Sequence, residues 1–261
     1  SLTTIGLLNL VRLPWLLKLF WSPLIDRNCI TIAHYKRTII ITESVYALAL
    51  VITSLVNVQS NLLLILILVF ISLLASATQD IATDALAIIT SVKRERSMLN
   101  SMQSMGSFGG VLVGSGLLLV VLHEYGWQTV TMCLGVFVLL MLVPLIMRRD
   151  TGMIVKNPQE RARLTDFASF FTQRSIWRQI GFLLLYYASI VGILSMMRPW
   201  LVDLGYSMKE IGVMSGIVGT SAAFCASFGA GFIVRRICIY TARLLFACFV
   251  LLTTVYFLTM S

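Results

Sequence analysis

Long apolar runs, broken by short clusters of charged or turn residues, recur from one end of the chain to the other. They predict about eight helices, over roughly residues 3–25, 38–57, 61–90, 98–122, 127–147, 179–202, 210–234 and 240–260. A hydrocarbon core about 30 Å thick needs about 20 residues at 1.5 Å rise per residue, and each run reaches that length. Lipid offers no hydrogen bonds, so spans must satisfy their own backbone, as helices do. The pattern predicts an all-α fold, a polytopic transmembrane helical bundle.

Composition supports the same class. Hydrophobic residues make up 58% and charged residues 12% of the 261, against about 45–50% and about 25% in soluble chains. The formal charge of +9 would suggest nucleic acid only if the basic residues shared one solvated face. They lie instead in the gaps between runs, which predicts a lipid bilayer and no nucleic acid as partner. The odd-numbered gaps hold Arg27, Lys36 and Arg37; then Lys93, Arg94 and Arg96; then seven basic residues from Arg148 to Arg178; then Arg235, Arg236 and Arg243. The second and fourth gaps hold none. By the positive-inside rule the basic gaps face the cytoplasm and residue 1 faces outward. The five cysteines include no C-x-x-C pair and fall mostly within apolar runs, so neither a disulfide, a metal nor a cofactor is expected.

The long basic gap divides five spans from three. It predicts an N-terminal bundle over 1–147, a cytoplasmic central loop over 148–178 and a partial C-terminal bundle over 179–261. In the loop, Leu164, Phe167, Phe171 and Ile176 stand near helical spacing among Arg161, Arg163, Arg174 and Arg178. Such a segment either lies on an anionic leaflet or forms a solvated linker. Gly106, Gly110 and Gly114 stand four apart, beside Gly109 and Gly116, and predict a bare face for close helix packing. The chain opens at Ser1 without a cleavable signal and ends within an apolar run, so it is expected to be part of a longer protein.

Charges within spans are the candidate functional residues, because each is costly there and needs a partner. The first span carries Arg12 and Lys18; the third carries Gln79, Asp80 and Asp84. Asp80 and Asp84 are one turn apart and share a helix face. Lys18 lies about 10 Å from the expected inner end of its span and Asp84 about 9 Å from that of its own. That predicts a Lys18–Asp84 pair, with Asp80 near the level of Arg12. The cluster serves either as an ion-pair brace or as a polar patch facing an aqueous cavity. Glu43 is near enough to its span's end to reach the interface. D-x-x-x-D on a membrane helix also serves metal-dependent transferases, but the remaining acids form no second acidic motif, and His34 and His123 lie in gaps on opposite sides. The expectation is therefore not an enzyme.

Trp21-Ser22-Pro23-Leu24-Ile25-Asp26-Arg27, followed by His34-Tyr35-Lys36-Arg37, resembles the G-x-L-x-D-R signature and basic cluster of the major facilitator superfamily, with Ser22 at the opening glycine. Gly229-Ala230-Gly231-Phe232-Ile233-Val234-Arg235-Arg236 is a faint second copy without the aspartate. L-P-W-x-L-K-x-x-W-x-P-L-x-D-R, A-T-Q-D-I-A-T-D and the loop Arg198-Pro199-Trp200-Leu201-Val202-Asp203-Leu204-Gly205-Tyr206-Ser207 resemble the branch of muropeptide, acetyl-coenzyme A and pyochelin- or rhizobactin-type siderophore permeases. One departure is Leu185-Tyr186-Tyr187-Ala188-Ser189, uncharged where the branch often carries Lys and Asp.

The resemblance implies helices two to nine of twelve in a secondary transporter of the inner membrane, monomeric when full length. It moves a small-molecule substrate, a siderophore or muropeptide, by proton-coupled alternating access. Asp80, Asp84, Gln79, Lys18 and Arg12 would line the substrate and proton pathway, and Asp26, Arg27, Lys36 and Arg37 the cytoplasmic gate. A membrane transferase using Asp80 and Asp84, and a non-transporting scaffold, are the alternatives. The topology is checked by fusions: reporters after Arg96 and within 150–175 should read cytoplasm, and those after Asn57 and Glu124 the outer side. Reversal at any two sites rejects the eight-span arrangement.

Overall fold

The structure, a computed structural model, describes residues 13–57, 61–92, 95–114, 118–148, 169, 171–237 and 239–260. Arg12, Lys93, Arg94, Gly116 and the loop residues Arg161, Arg163, Leu164 and Phe167 lie outside them. All regular elements among the described residues are helices: α1 (Leu13–Asn28), α2 (Ile32–Leu55), α3 (Leu62–Thr90), α4 (Arg96–Leu112), α5 (Leu118–Met147), α6 (Arg174–Asp203), α7 (Met208–Ile211), α8 (Gly219–Arg236) and α9 (Ile239–Met260). A π-helical stretch, Gly212–Val218, joins α7 to α8. Among the described residues, five segments are long and apolar enough to cross a membrane: Ile32–Leu55, Leu62–Thr90, Val120–Met147, Arg174–Asp203 and Gly212–Arg236. The polytopic helical bundle expected from the apolar runs is what forms.

Local chemistry explains where helix ends depart from the apolar pattern. α2 starts six residues before the expected 38, because Thr31 is an N-cap whose hydroxyl accepts the His34 amide. The run Leu118–Met147 crosses the expected gap and is interrupted at Gly126, with φ 77° and ψ 172°. Only glycine adopts that backbone without strain, so the turn forms there although helix resumes at once. Before α7, Ser207 and Glu210 form a capping box: the Ser207 amide and hydroxyl both donate to the Glu210 carboxylate at 2.8 Å, and the Ser207 hydroxyl accepts the Glu210 amide.

Two compact units divide the chain, residues 1–91 with 118–167, and residues 92–117 with 168–261. In the first, α2 packs on α3 and α5, and α1 on α3. Tyr35, Cys29, Ile39 and Ala82 form a buried cluster, with Ile25, Leu86, Ile89 and Leu145 against it. Small residues bring α5 onto α2: a Cβ on Gly135 would stand 2.8 Å from Val51 Cγ2 and 3.1 Å from the Ala47 carbonyl oxygen. In the second unit α4 packs along α8, where a Cβ on Gly231 would meet Ser101 Oγ at 2.6 Å. Elsewhere large apolar side chains such as Leu16, Phe20, Leu63 and Leu185 face outward, as a lipid solvent requires.

The glycine stripe of α4 does not do what its spacing predicts. Among the described residues, Gly106, Gly110 and Gly114 have no neighbour within 4 Å of a Cβ position, and Gly109 meets the Phe224 ring alone. Spacing identifies a bare face, but close approach depends on which helix comes to lie on it, and here Gly135 and Gly231 take that role.

Gly135→Leu should therefore lower the unfolding temperature in detergent by the equivalent of about 1–3 kcal/mol, whereas Gly106→Leu should leave it unaltered. The capping box gives a pH dependence. Its hydrogen bonds from Ser207 hold the Glu210 carboxyl below its ordinary 4.5. A depressed pKa contributes stability above that value and loses it as pH falls below. Exchange at the Ser207 amide, corrected for intrinsic rate, should rise on acidification below 4.5 and be raised at neutral pH by Glu210→Ala but not by Glu210→Gln.

Candidate functional site

α1 and α3 run side by side in the first unit and carry the charges placed within spans. Lys18 Nζ donates to Asp80 Oδ2 at 2.6 Å, with the side chains 34% and 20% exposed. The same ammonium sits 4.6 Å from the centroid of the Trp15 ring, one turn back on α1. A cation over an indole face gains electrostatic attraction without a second carboxylate. Lys18 is thus held from two sides.

The ion pair is Lys18–Asp80, not the Lys18–Asp84 pair that sequence depth predicts. This pairing has a geometric cause. α1 continues to Asn28, three residues beyond the expected end at Ile25, so Lys18 lies ten residues before its end. Asp80 likewise lies ten residues before Thr90, the end of α3. At 1.5 Å per residue both are about 15 Å from those ends, and they meet on the level.

Beside the pair opens a cleft of about 530 Å³, with Trp15, Lys18, Ser22 and Asp26 on the α1 side and Ile81, Asp84, Ala85 and Ile88 on the α3 side. It therefore presents one ammonium, two carboxylates, a hydroxyl and an indole on otherwise apolar walls. Asp84, half-buried, faces this cleft one turn from Asp80. Gln79 is also half-buried but is not among the cleft residues. Such a lining can hold a polar solute by charge and hydrogen bonds, and can pass a cation or proton between carboxylates.

The D-R and K-R residues stand at the adjoining helix ends. Asp26 Oδ1 accepts the Tyr35 hydroxyl at 3.0 Å, and Tyr35 is fully buried. Lys36, only 7% exposed, donates to the Arg148 carbonyl at 2.5 Å, just past the end of α5. A helix C-terminus leaves carbonyls unpaired and carries partial negative charge, so this ammonium satisfies both. Arg27 and Arg37 are exposed. Sequence reasoning missed Trp15 and Tyr35. Three-residue spacing from Lys18 could have suggested Trp15, but no spacing rule pairs Asp26 with a residue across a turn.

Comparison with known proteins agrees with this architecture. The chain is 23% identical over 251 residues to the anhydromuropeptide permease of Escherichia coli strain K12, covering 94% of this chain and 51% of that protein. It is 27% identical over 243 residues to a Rickettsia conorii protein provisionally named transporter AmpG 4, covering 87% and 58% respectively. A Haemophilus influenzae protein matches at 26% over 258 residues, covering 94% and 60%. The chain thus spans little more than half the length of these relatives. The profile of the Major Facilitator Superfamily matches residues 1–261, and this multi-pass membrane protein belongs to that superfamily.

Proposed function

We propose that the chain is the helix-two-to-nine part of a secondary permease that carries a small solute across the inner membrane by alternating access, probed best through its half-buried ion pair. The carrying observation is the Lys18–Asp80 pair beside a cleft that also holds Asp84 and Asp26. A static brace needs one cation and one carboxylate, whereas this site offers the cation a second carboxylate one turn away. Protonation of Asp80 releases Lys18, whose flexible stem then reaches toward Asp84. The charge shift alters the cleft between loaded and empty states. This is the proposed proton coupling, with Asp80, Asp84, Lys18, Gln79 and Arg12 along the pathway.

Asp26, Arg27, Lys36 and Arg37 form the cytoplasmic gate. The Asp26–Tyr35 and Lys36–Arg148 bonds support this role, because they tie three helix ends together where a gate must close. The bundles proposed are 1–147 and 179–261, joined by 148–178, with α4 against α8 as the seam between them. The cargo proposed is a muropeptide, which the name of the Escherichia coli relative favours over a siderophore. The whole protein works as a monomer, without cofactor or nucleic acid. The transferase reading gains no support, since the Lys18 ammonium occupies the position on Asp80 that a divalent cation would need. Nor does any observation favour a passive scaffold.

Uptake of labelled muropeptides into vesicles, with and without an imposed pH gradient, tests the reading in the whole protein. Asp80→Asn should abolish uphill accumulation while leaving exchange of bound solute. Undiminished accumulation by the variant would remove Asp80 from the coupling path. Folding is tested separately. Removing one partner of this half-buried pair should cost about 1–3 kcal/mol, discounted from the fully buried case, and Lys18→Gln with Asp80→Asn should recover most of the lost expression. Equal loss in single and double variants would show that the pair is not coupled.

A further inference from the structure

Both helices of the second unit's packed pair, α4 and α8, change their winding at glycines. Gly212–Val218, which leads into α8, is π-helical, and the Gly219 amide donates to the Met214 carbonyl five residues back. Within that stretch the Ser215 hydroxyl donates to the Ile211 carbonyl at 2.6 Å, a bond that bends helices. α4 likewise passes from α into π winding at Val113 and Gly114. π turns are rare and occur frequently at functional sites. Among the described residues, a Cβ on Gly110, Gly114, Gly212 or Gly216 would meet nothing within 4 Å, so these glycines serve no close packing. Glycine loses more conformational freedom in a helix than any other residue, and each therefore weakens its helix at that point.

The two changes of winding stand at one level. Gly231 lies against Ser101, and Gly109 against the Phe224 ring, so a step of eight residues along α4 matches seven back along α8. The helices are antiparallel. Continued past Gly109, this register brings Val113 and Gly114 level with residues 218 to 220, where the π stretch meets α8.

We propose that the two π segments form one hinge, at which α4 and α8 pass together between π and α winding. A π turn takes more residues than an α turn, so its conversion rotates and advances everything beyond it. The Gly219 amide exchanges the Met214 carbonyl for that of Ser215, and its hydrogen bond is kept. Beyond the hinge, α4 leads toward the fourth gap and the π stretch leads back to α7 and the loop before it, both expected outside. The contacts of Gly231 with Ser101 and Met98 hold the inner halves together while the outer ends move. The proposal rests on the transport reading only in assigning this movement to the outer gate.

Amide hydrogen exchange of the whole protein in lipid nanodiscs tests the hinge, with Gly216→Ala as the variant. Alanine there touches nothing, so it stiffens the backbone without a clash. In the wild type, exchange over 212–219 should exceed that over 222–236 of the same helix. Gly216→Ala should slow it about twofold to fivefold and should also slow exchange over 109–114 on α4. Exchange over 222–236 should stay unaltered and the unfolding temperature should not fall. Gly114→Ala, the reciprocal variant, should slow 212–219. Two independent soft runs would each respond to their own substitution alone, and that result overturns the hinge, as does equal exchange over 212–219 and 222–236. Muropeptide uptake, measured in parallel, separates the two readings. Slowed exchange with undiminished uptake rejects the gate assignment and leaves transport standing; coupled slowing in a protein without uptake rejects transport and leaves the hinge.

Discussion

A charge within a helix bundle surrounded by lipid needs a counter-charge at its own depth, and the Lys18–Asp80 pair meets that constraint at one point. Because both residues lie ten positions from the ends of α1 and α3, their bond fixes the two helices in parallel register. The register then determines what else can meet. It places Trp15 behind the ammonium, Asp84 one turn below it and Asp26 at the mouth of the same cleft. Slipping α1 by one turn against α3 would exchange the pair and rebuild the whole lining.

The helix ends are held by the same economy of polar groups. Thr31 starts α2, Lys36 satisfies the end of α5, and Tyr35 reaches back to Asp26. Apart from the Arg148 carbonyl, these contacts come from the eleven residues Asp26 to Lys36, yet they join α1, α2 and α5. Within spans, hydroxyls such as those of Thr53, Ser72 and Thr131 bond a carbonyl of their own helix, while Ala47, Ala49 and Gly135 carry close packing.

Much of the fold was legible in the sequence, because lipid leaves the chain few choices. Twenty apolar residues can only be a helix there, and the runs and the charged positions on α1 and α3 follow from local composition. The family resemblance was carried by equally local strings around Lys18, Asp26 and Asp80. What local pattern could not supply was partnership. It places Lys18 opposite Asp84, because the apolar run ends near Ile25 whereas the helix continues to Asn28.

The α4 glycines show the same division. Their four-residue spacing determined that one face of α4 would be bare, but only the packing of neighbouring helices decided that this face would stay open while Gly135 and Gly231 received backbone contacts. Tyr35 and Asp26, and Ser97 without a partner, were likewise decided in three dimensions. The reason is physical: periodicity sets the direction of a side chain about its own axis, whereas the depth and rotation of a second helix depend on every contact along both.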